Sequence, residues 1–407
     1  MKYLRTVSTR RLLALLAASL VIVAGGTAIA VAASGTGQMP PHKPLAQAIH
    51  QGLAAPPVTG ITARITFTNH LIDSSSIQGS DPILTGASGR LWLDPVHHRL
   101  RLELQSDNGD AQVVVDNGSF WVYDPTAKTV YRGKIPADTG KHSSATPDHA
   151  LPTVASIQSE LNQVMAHVNL SGAIPSDVAG QAAYTVRISP KHDGGLLGAG
   201  ELAWDATRGV PLRFAIYAQG SPTPVLELKA TDISFASVPA SDFAVSPPTG
   251  AKVVTVSVPA GTGPEAAKTR AARRAHRLPK QAQVSGVAAV ASHLHFALVA
   301  PDTLVGLPRQ SMRLLDWGGT PAALVTYGRN LGGIAVIEQP ADSAKAPSQA
   351  SGDHRGLSLP TVSINGATGQ ELDTALGTVL RFTRGGVAYT VLGSVPAAAA
   401  DAAARGL

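Results

Sequence analysis

The chain has 407 residues and no cysteine, with 4% aromatic and 15% charged residues, 40 glycines and 29 prolines. The absence of cysteine excludes disulfides, thiol catalysis, cysteine metal sites and a lipidated N-terminal cysteine. Frequent glycine and proline with few aromatic residues are typical of short strands joined by turns, and the length predicts two domains.

The net charge of +6 is concentrated in two short clusters. Lys2, Arg5, Arg10 and Arg11 begin the chain, and residues 265–280 carry six basic residues against one acidic residue. Because these clusters together exceed the net charge, the rest of the chain is slightly acidic. A nucleic-acid-binding domain carries its positive charge on its folded surface, so no nucleic-acid partner is expected.

Residues 1–34 have the order of a signal peptide: a basic start, an apolar stretch from Leu12 to about Ala33, and small residues at the end. The apolar stretch is longer than the roughly 7–15 residues of most cleaved signals and is close to the about 20 that span a bilayer. The segment is therefore either cleaved near Ala32 or retained as a transmembrane anchor, and the lack of a lipidation cysteine favours retention. The basic N-terminal side places the remaining chain outside the cytoplasm, anchored to the cell membrane or secreted after cleavage.

Residues 35–44 form a predicted tether, and the apolar spacing in residues 45–53 predicts a short helix. From Thr59 onward, apolar residues recur at every second position, which is typical of half-buried strands. Strands are predicted at 61–68, 90–94, 99–104, 113–115, 120–123 and 129–131. With Asn117-Gly118 as a hairpin turn signal, this region predicts an antiparallel meander that has one apolar face.

A second helix is predicted after residue 151, with Thr153 or Ser156 as its cap. Its predicted apolar stripe consists of Ile157, Leu161, Val164, Met165 and Val168. Further strands are predicted at 183–188, 200–204, 212–217 and 225–233. These elements complete a first domain that spans residues 45–258.

Residues 259–283 form a predicted basic linker. We favour a solvated spacer over a segment that is attracted to an anionic membrane surface. A smaller α+β domain is expected over residues 284–407. Its predicted strands lie at 323–327, 333–337, 362–364, 378–382 and 387–392, and an alanine-rich helix is predicted from 396 to the end.

No complete catalytic or metal-binding motif is found in the sequence. Ser106-Asp107-Asn108 matches one element of the serine β-lactamase set without its partner elements. His293 and His295, predicted on one strand face, have no further ligand nearby in the sequence. We therefore expect a non-enzymatic protein with no cofactor and no metal site.

The apolar face of the meander has two interpretations. Complete cover by helices makes it an ordinary core, which periodicity alone favours. Partial cover leaves a long apolar groove that can hold acyl chains.

Several motifs of the first domain resemble the lipoprotein-carrier (LolA-like) superfamily. The first three are Gly89-Arg-Leu-Trp-Leu-Asp, Arg99-Leu-Arg-Leu-Glu and Val115-Asp-Asn-Gly-Ser-Phe-Trp-Val-Tyr-Asp-Pro. The later ones are Ala179-Gly-Gln-Ala-Ala-Tyr-Thr-Val, Trp204-Asp-Ala-Thr-Arg-Gly-Val-Pro-Leu-Arg, and Asp242-Phe ahead of Pro247-Pro. Their order and spacing over about residues 45–255 carry the resemblance.

The second domain resembles the small C-terminal domain of the periplasmic sigma-E regulators (the MucB/RseB type). The matching segments are Leu324-Val-Thr-Tyr-Gly, Ile334-Ala-Val-Ile-Glu and Tyr389-Thr-Val-Leu-Gly-Ser-Val-Pro. Those regulators also pair a carrier-like domain with a small domain. The polar insertion at 342–357 and a retained apolar N-terminus depart from their pattern.

The resemblance implies an α+β fold, with an antiparallel half-barrel sheet and helical cover around an apolar cavity, followed by a small α+β domain. It also implies non-catalytic binding of lipid chains, lipoproteins or lipid-like signals. Strand alternation then assigns the cavity to Leu100, Leu102, Leu104, Val113, Val115, Phe214 and Ile216.

Two main functional hypotheses follow. The first is a lipid- or lipoprotein-binding carrier at the outer face of the membrane. The second is a regulator that binds the outer part of a membrane anti-sigma factor or a similar sensor protein. A structural protein for adhesion or wall interaction is a third.

Overall fold

The computed structural model describes residues 39–72, 84, 86–105, 110–135, 151–256, 284–316, 320–343 and 359–407. Over these residues the protein is mostly β, with few helices and two separate sheets. One sheet is large and mixed, and the other has eight antiparallel strands. The predicted α+β class is confirmed in this coarse form, in which β structure dominates.

The first sheet contains thirteen strands, most of which pair with antiparallel neighbours. They are β1 (Ile61–Asn69), β2 (Ala87–Asp94), β3 (Arg99–Gln105), β4 (Ala111–Asp116), β5 (Ser119–Asp124), β6 (Thr129–Lys134), β7 (Val168–Leu170), β8 (Ile174–Val178), β9 (Gln181–Pro190), β10 (Leu197–Asp205), β11 (Pro211–Ala218), β12 (Pro224–Ser234) and β13 (Lys252–Thr255). Their order is β13-β6-β5-β4-β3-β2-β1-β12-β11-β10-β9-β7, and β8 also pairs with β9.

The turn between β4 and β5 is the one that the sequence predicts. Asn117 and Gly118 have positive φ values of 48° and 71°, the conformation that Asn-Gly adopts most easily in a two-residue hairpin. Strand β13 departs from the prediction, because it pairs in parallel with β6. The expectation of a purely antiparallel sheet is wrong there, since β13 returns after a long excursion from β12 instead of through a hairpin.

Two helices accompany the first sheet, α1 (Leu45–Leu53) and α2 (Val154–Val164). The Thr153 hydroxyl caps α2 by accepting a hydrogen bond of 3.1 Å from the Ser156 amide. The Nδ1 atom of His50 in α1 lies 2.9 Å from the Pro152 carbonyl oxygen, just ahead of α2. The prediction that Val168 extends the apolar stripe of α2 is wrong, because this residue begins β7.

The second sheet contains β14 (Thr303–Leu304), β15 (Leu307–Asp316), β16 (Pro321–Tyr327), β17 (Ile334–Pro340), β18 (Thr361–Ile364), β19 (Ala367–Thr374), β20 (Gly377–Arg384) and β21 (Val387–Gly393), with helices α3 (Val287–Ala291) and α4 (Ala397–Arg405). Its order is β14-β15-β16-β17-β21-β20-β19-β18. The five predicted strands are present, and β14, β15 and β19 are additional. His293 and His295 follow α3 and do not lie on a strand, so that prediction is wrong.

Each sheet has its own apolar core. In the second, Ala400, Ala403 and Ala404 of α4 are fully buried against the sheet together with the strand residues Val336, Leu380 and Val391. Because alanine has no side chain beyond Cβ, these positions let the helix approach the sheet closely. The predicted C-terminal helix is thereby a packed part of the second core.

Glu338 of β17 is a fully buried carboxyl in this second core. Its Oε2 atom accepts a hydrogen bond of 2.9 Å from the Val299 amide, and Oε1 has no hydrogen-bond partner. Burial raises the pKa of Glu338 to about 7, and the hydrogen bond from Val299 opposes that shift. The group is therefore protonated in the folded protein at mildly acidic pH.

Glu338→Gln should raise the free energy of unfolding at pH 8 and leave it almost unchanged at pH 4. The unfolded carboxyl loses its proton near pH 4.5, whereas the folded one keeps its proton up to about pH 7. The free energy of unfolding of the wild-type protein therefore falls by about 3 kcal/mol in total as the pH rises between these values. A glutamine amide does not titrate, so the variant lacks this loss. Calorimetric unfolding of the wild-type protein and of Glu338→Gln at pH 4 and pH 8 measures the difference in their free energy of unfolding. Glu160→Gln on the exposed face of α2 is the control, and an equal gain at both pH values would contradict the explanation.

Candidate functional site: an open apolar face

Apolar side chains of five neighbouring strands line up on one face of the first sheet. Residues directly opposite each other in antiparallel strands point to the same face. Leu202 of β10 pairs with Phe214 of β11, which pairs with Leu228 of β12, which pairs with Phe67 of β1. A parallel row runs from Ile188 through Gly200, Ile216 and Leu226. We call Phe67, Ile188, Leu202, Phe214, Ile216, Leu226 and Leu228 the open apolar face.

This face is exposed at its centre. The exposed fractions are 49% for Phe214, 40% for Ile188 and 37% for Leu202, and the other four residues are half-buried. Single exposed apolar residues are common on protein surfaces, whereas adjacent ones in register form a patch that favours binding. The face is therefore chemically suited to an apolar ligand.

Helix α1 covers one end of the same face. Ala48 of α1 packs with Tyr184 of β9 and Trp204 of β10, which stand opposite each other two residues beyond the row that contains Leu202. The Tyr184 hydroxyl donates a hydrogen bond of 2.6 Å to the Pro41 carbonyl oxygen, which holds the segment before α1 against the sheet. Burial raises the pKa of Tyr184, so this donor keeps its proton at neutral pH.

The other side of the face continues into the first core. Leu228 packs against a buried cluster formed by strands β1 to β6. Five of the predicted cavity residues lie in that cluster and are at most 5% exposed: Leu100, Leu102, Leu104, Val113 and Val115. The remaining two, Phe214 and Ile216, lie in the open part. All seven share one face of the sheet, and their role in ligand binding stays a prediction.

Five residues of the open face were not among the predicted ones, namely Phe67, Ile188, Leu202, Leu226 and Leu228. The alternation of the strands that carry them was visible in the sequence, in Val186-Arg-Ile188 and Leu226-Glu-Leu228. What the sequence lacks is the pairing that brings these short segments beside Phe214. The contribution of each strand is recognised only when the register is known.

The opposite face of the same strands carries a charged network. Arg213 donates to Glu201 at 2.6 Å, to Glu227 at 2.5 Å and to the Tyr217 hydroxyl at 2.7 Å. Arg187 donates to Glu201 at 2.7 Å. Burial would raise the pKa of Glu201, but the hydrogen bonds from Arg213, Arg187 and Tyr217 outweigh it and lower the pKa. This network ties β9 to β12 together beneath the open apolar face.

Within the described ranges, no group of three or more histidine, aspartate or glutamate residues is arranged to hold a metal ion. No helix in that part of the chain is long and apolar enough to cross a membrane. The predicted signal or anchor at 1–34 and the basic linker at 259–283 lie outside the described residues.

No protein-family model and no curated protein matches this chain. Among solved structures, it is similar to MucB in complex with MucA(peri), at 16% identity over 88% of this chain and 94% of that chain, with a TM-score of 0.37. The Pseudomonas aeruginosa MucA/MucB complex gives 16% identity, the same coverage and a TM-score of 0.38. A LolA superfamily protein from Nitrosomonas europaea gives 9% identity over 50% of this chain and 99% of that chain, with a TM-score of 0.20. The predicted resemblance is confirmed as a distant structural similarity, which says nothing about ligand or partner.

Phe214→Thr should lower the free energy of unfolding by less than about 1 kcal/mol, because half of the ring is already in water. Leu102→Ala, in the closed cluster of the same face, should cost about 2–5 kcal/mol. Urea unfolding followed by circular dichroism compares the two variants. Equal costs would show that Phe214 is covered in solution and that the face is an ordinary core.

Proposed function

We propose that this chain is a non-enzymatic, extracytoplasmic protein that is anchored to the cell membrane and holds the acyl chain of a lipid or lipoprotein on its open apolar face. One observation carries the proposal: large apolar side chains stand exposed in register on a face that α1 covers at one end. The location outside the cytoplasm rests on the sequence of residues 1–34.

An acyl chain suits this face better than a peptide does. The backbone groups of β10, β11, β12 and β1 are paired with one another, so the middle of the sheet offers no partner for a peptide's N–H and C=O groups. A hydrocarbon chain needs no such partner and gains about 0.8 kcal/mol for each buried CH₂ group. From β9 to β1 the face crosses four strand spacings, or about 19 Å, which accommodates most of a fatty acyl chain.

Leu202→Asp and Phe214→Asp should each abolish lipid co-purification, because a carboxylate in the middle of the face would have to lose its hydration when an acyl chain binds. The chain is purified from the envelope of expressing cells, extracted with organic solvent, and the extract is analysed by lipid mass spectrometry. Wild-type protein should carry a defined lipid in near-stoichiometric amount.

Val253→Asp is the matched control, since Val253 is 51% exposed but lies on edge strand β13 of the same sheet. It should leave the bound lipid unchanged. A wild-type protein without bound lipid, or equal lipid in all four proteins, would refute the proposed function.

A second candidate function is regulation, through binding of the outer part of a membrane anti-sigma factor or a similar sensor. The observation that favours it is the second sheet, which has its own core and which a simple carrier does not need. The segments 324–328, 334–338 and 389–396, which carry the resemblance to the sigma-E regulators, lie mostly within β16, β17 and β21 of that sheet.

Crosslinking in living cells followed by affinity purification should recover a membrane signalling protein if the regulatory function is correct. Deletion of the gene should then change the envelope-stress transcripts, because a bound anti-sigma factor would be released. A crosslinked product that contains lipid but no signalling partner, together with an unchanged transcriptome, would eliminate this candidate and leave the carrier.

A further inference from the structure

The second row of the open apolar face has a gap. Gly200 of β10 stands between Ile188 of β9 and Ile216 of β11, which are its register partners on either side. Both isoleucines, and Leu202 two residues further along β10, carry large apolar side chains on this face, whereas Gly200 carries none. We call the space above Gly200, bounded by Ile188, Leu202 and Ile216, the Gly200 notch.

The backbone at Gly200 does not require a glycine. Its φ lies outside the left-handed region, and the register shifts of β10 fall elsewhere, at 197–199 and 203–204. Among the described residues, a Cβ atom added to Gly200 would have only the Ala215 carbonyl oxygen within 4 Å, at an ordinary van der Waals distance of 3.8 Å. A side chain could therefore stand here without strain.

Glycines elsewhere in the described strands have structural reasons. A Cβ atom at Gly89 would overlap the Glu103 carbonyl oxygen, and one at Gly133 would come within 2.5 Å of the Val256 carbonyl oxygen. Within those strands, Gly200 is the one glycine whose added Cβ would have no described atom closer than 3.4 Å. A glycine in a strand interior weakens the strand, and it often marks a position that a ligand approaches closely. With a bulge and internal crowding both absent at this position of β10, close approach of a ligand is the reason that remains.

We infer that Gly200 is a specificity-determining position of the open apolar face: its missing side chain lets the bound acyl chain lie directly against the backbone of β10, between Ile188 and Ile216. Adjacent strands are about 4.8 Å apart, so the backbones that carry these two isoleucines are about 10 Å apart. One hydrocarbon chain, in contact at about 4 Å with the side chains on both sides, fills that width. The notch therefore takes one acyl chain and not two side by side. The inference rests on the proposed function.

Side chains of increasing size at Gly200 test the notch in the full chain. Membranes from cells that express the wild-type protein, Gly200→Ala or Gly200→Val are exposed to a diazirine- and alkyne-bearing palmitic acid below saturation and are irradiated. The labelled fraction of each protein is then measured. We expect Gly200→Val to lower labelling roughly ten-fold, the loss that corresponds to removing about two CH₂ groups from apolar contact. Gly200→Ala should have a smaller effect in the same direction.

The stability of the same variants separates a filled notch from a damaged fold. Gly200→Val should raise the midpoint of thermal unfolding by about 2 °C, because a β-branched residue suits a strand better than glycine does. Ser88→Val is the matched control, since Ser88 is exposed on β2 and its register partner Thr66 stands beside Lys229 on the opposite face of the sheet. This variant adds a side chain of the same shape away from the notch and should leave labelling unchanged.

Each outcome bears on a separate claim. Wild-type labelling of Gly200→Val would refute the role of the notch and leave the lipid-binding proposal intact. A lower unfolding midpoint for Gly200→Val would also refute that role, because the glycine would then serve the fold of β10. An equal loss of labelling in Ser88→Val would contradict it as well, since the effect would not depend on the notch. Labelling of the wild-type protein no stronger than that of Leu202→Asp would refute the proposed function and the notch together.

Discussion

The pairing register of the first sheet is the constraint on which the open apolar face depends. Once Leu202 stands opposite Phe214 and Phe214 opposite Leu228, the polar residues between them, Glu201 and Arg213, must point to the other side. A slip of one residue would move the charged network into the apolar face and the apolar side chains into water. The ion pairs between β9, β10, β11 and β12 resist such a slip, because each requires the same alignment.

The local pattern of the sequence was sufficient for most of the elements and for the side of each strand that is apolar. The helix at 45–53 was predicted from apolar spacing, Thr153 as one of two candidate caps from capping chemistry, and the Asn117-Gly118 turn from its need for positive φ. Two of the strands that escaped prediction have few apolar residues or are very short, namely β19, with its sequence Ala-Thr-Gly-Gln-Glu-Leu-Asp-Thr, and β14. Their strand conformation is imposed by neighbouring strands and not by their own side chains.

The candidate site was predictable only in part, for a different physical reason. Alternation showed that Leu102 and Phe214 are apolar positions of strands, but the same pattern describes a filled core and an exposed face. The difference between a Leu102 that is 5% exposed and a Phe214 that is 49% exposed arises from what packs above each strand. That packing is a long-range property of the chain, which short-range periodicity does not contain.

The segments between the described ranges bear on whether the chain could cover the face itself. Residues 136–150 contain no valine, isoleucine, leucine, methionine or aromatic residue. From this set, residues 73–83 contain only Ile77 and Ile83, residues 257–283 only Val258 and Leu278, and residues 344–358 only Leu357. Burying Ile188, Leu202 and Phe214 requires apolar atoms in number, since the gain scales with the area removed from water. The longest apolar stretch of the chain is Leu12–Ala33, whose basic flank and length are typical of a segment that is either cleaved as a signal or retained in the membrane. An apolar occupant from outside the chain, such as the acyl chain proposed above, therefore accounts for the exposed side chains better than an internal cover does.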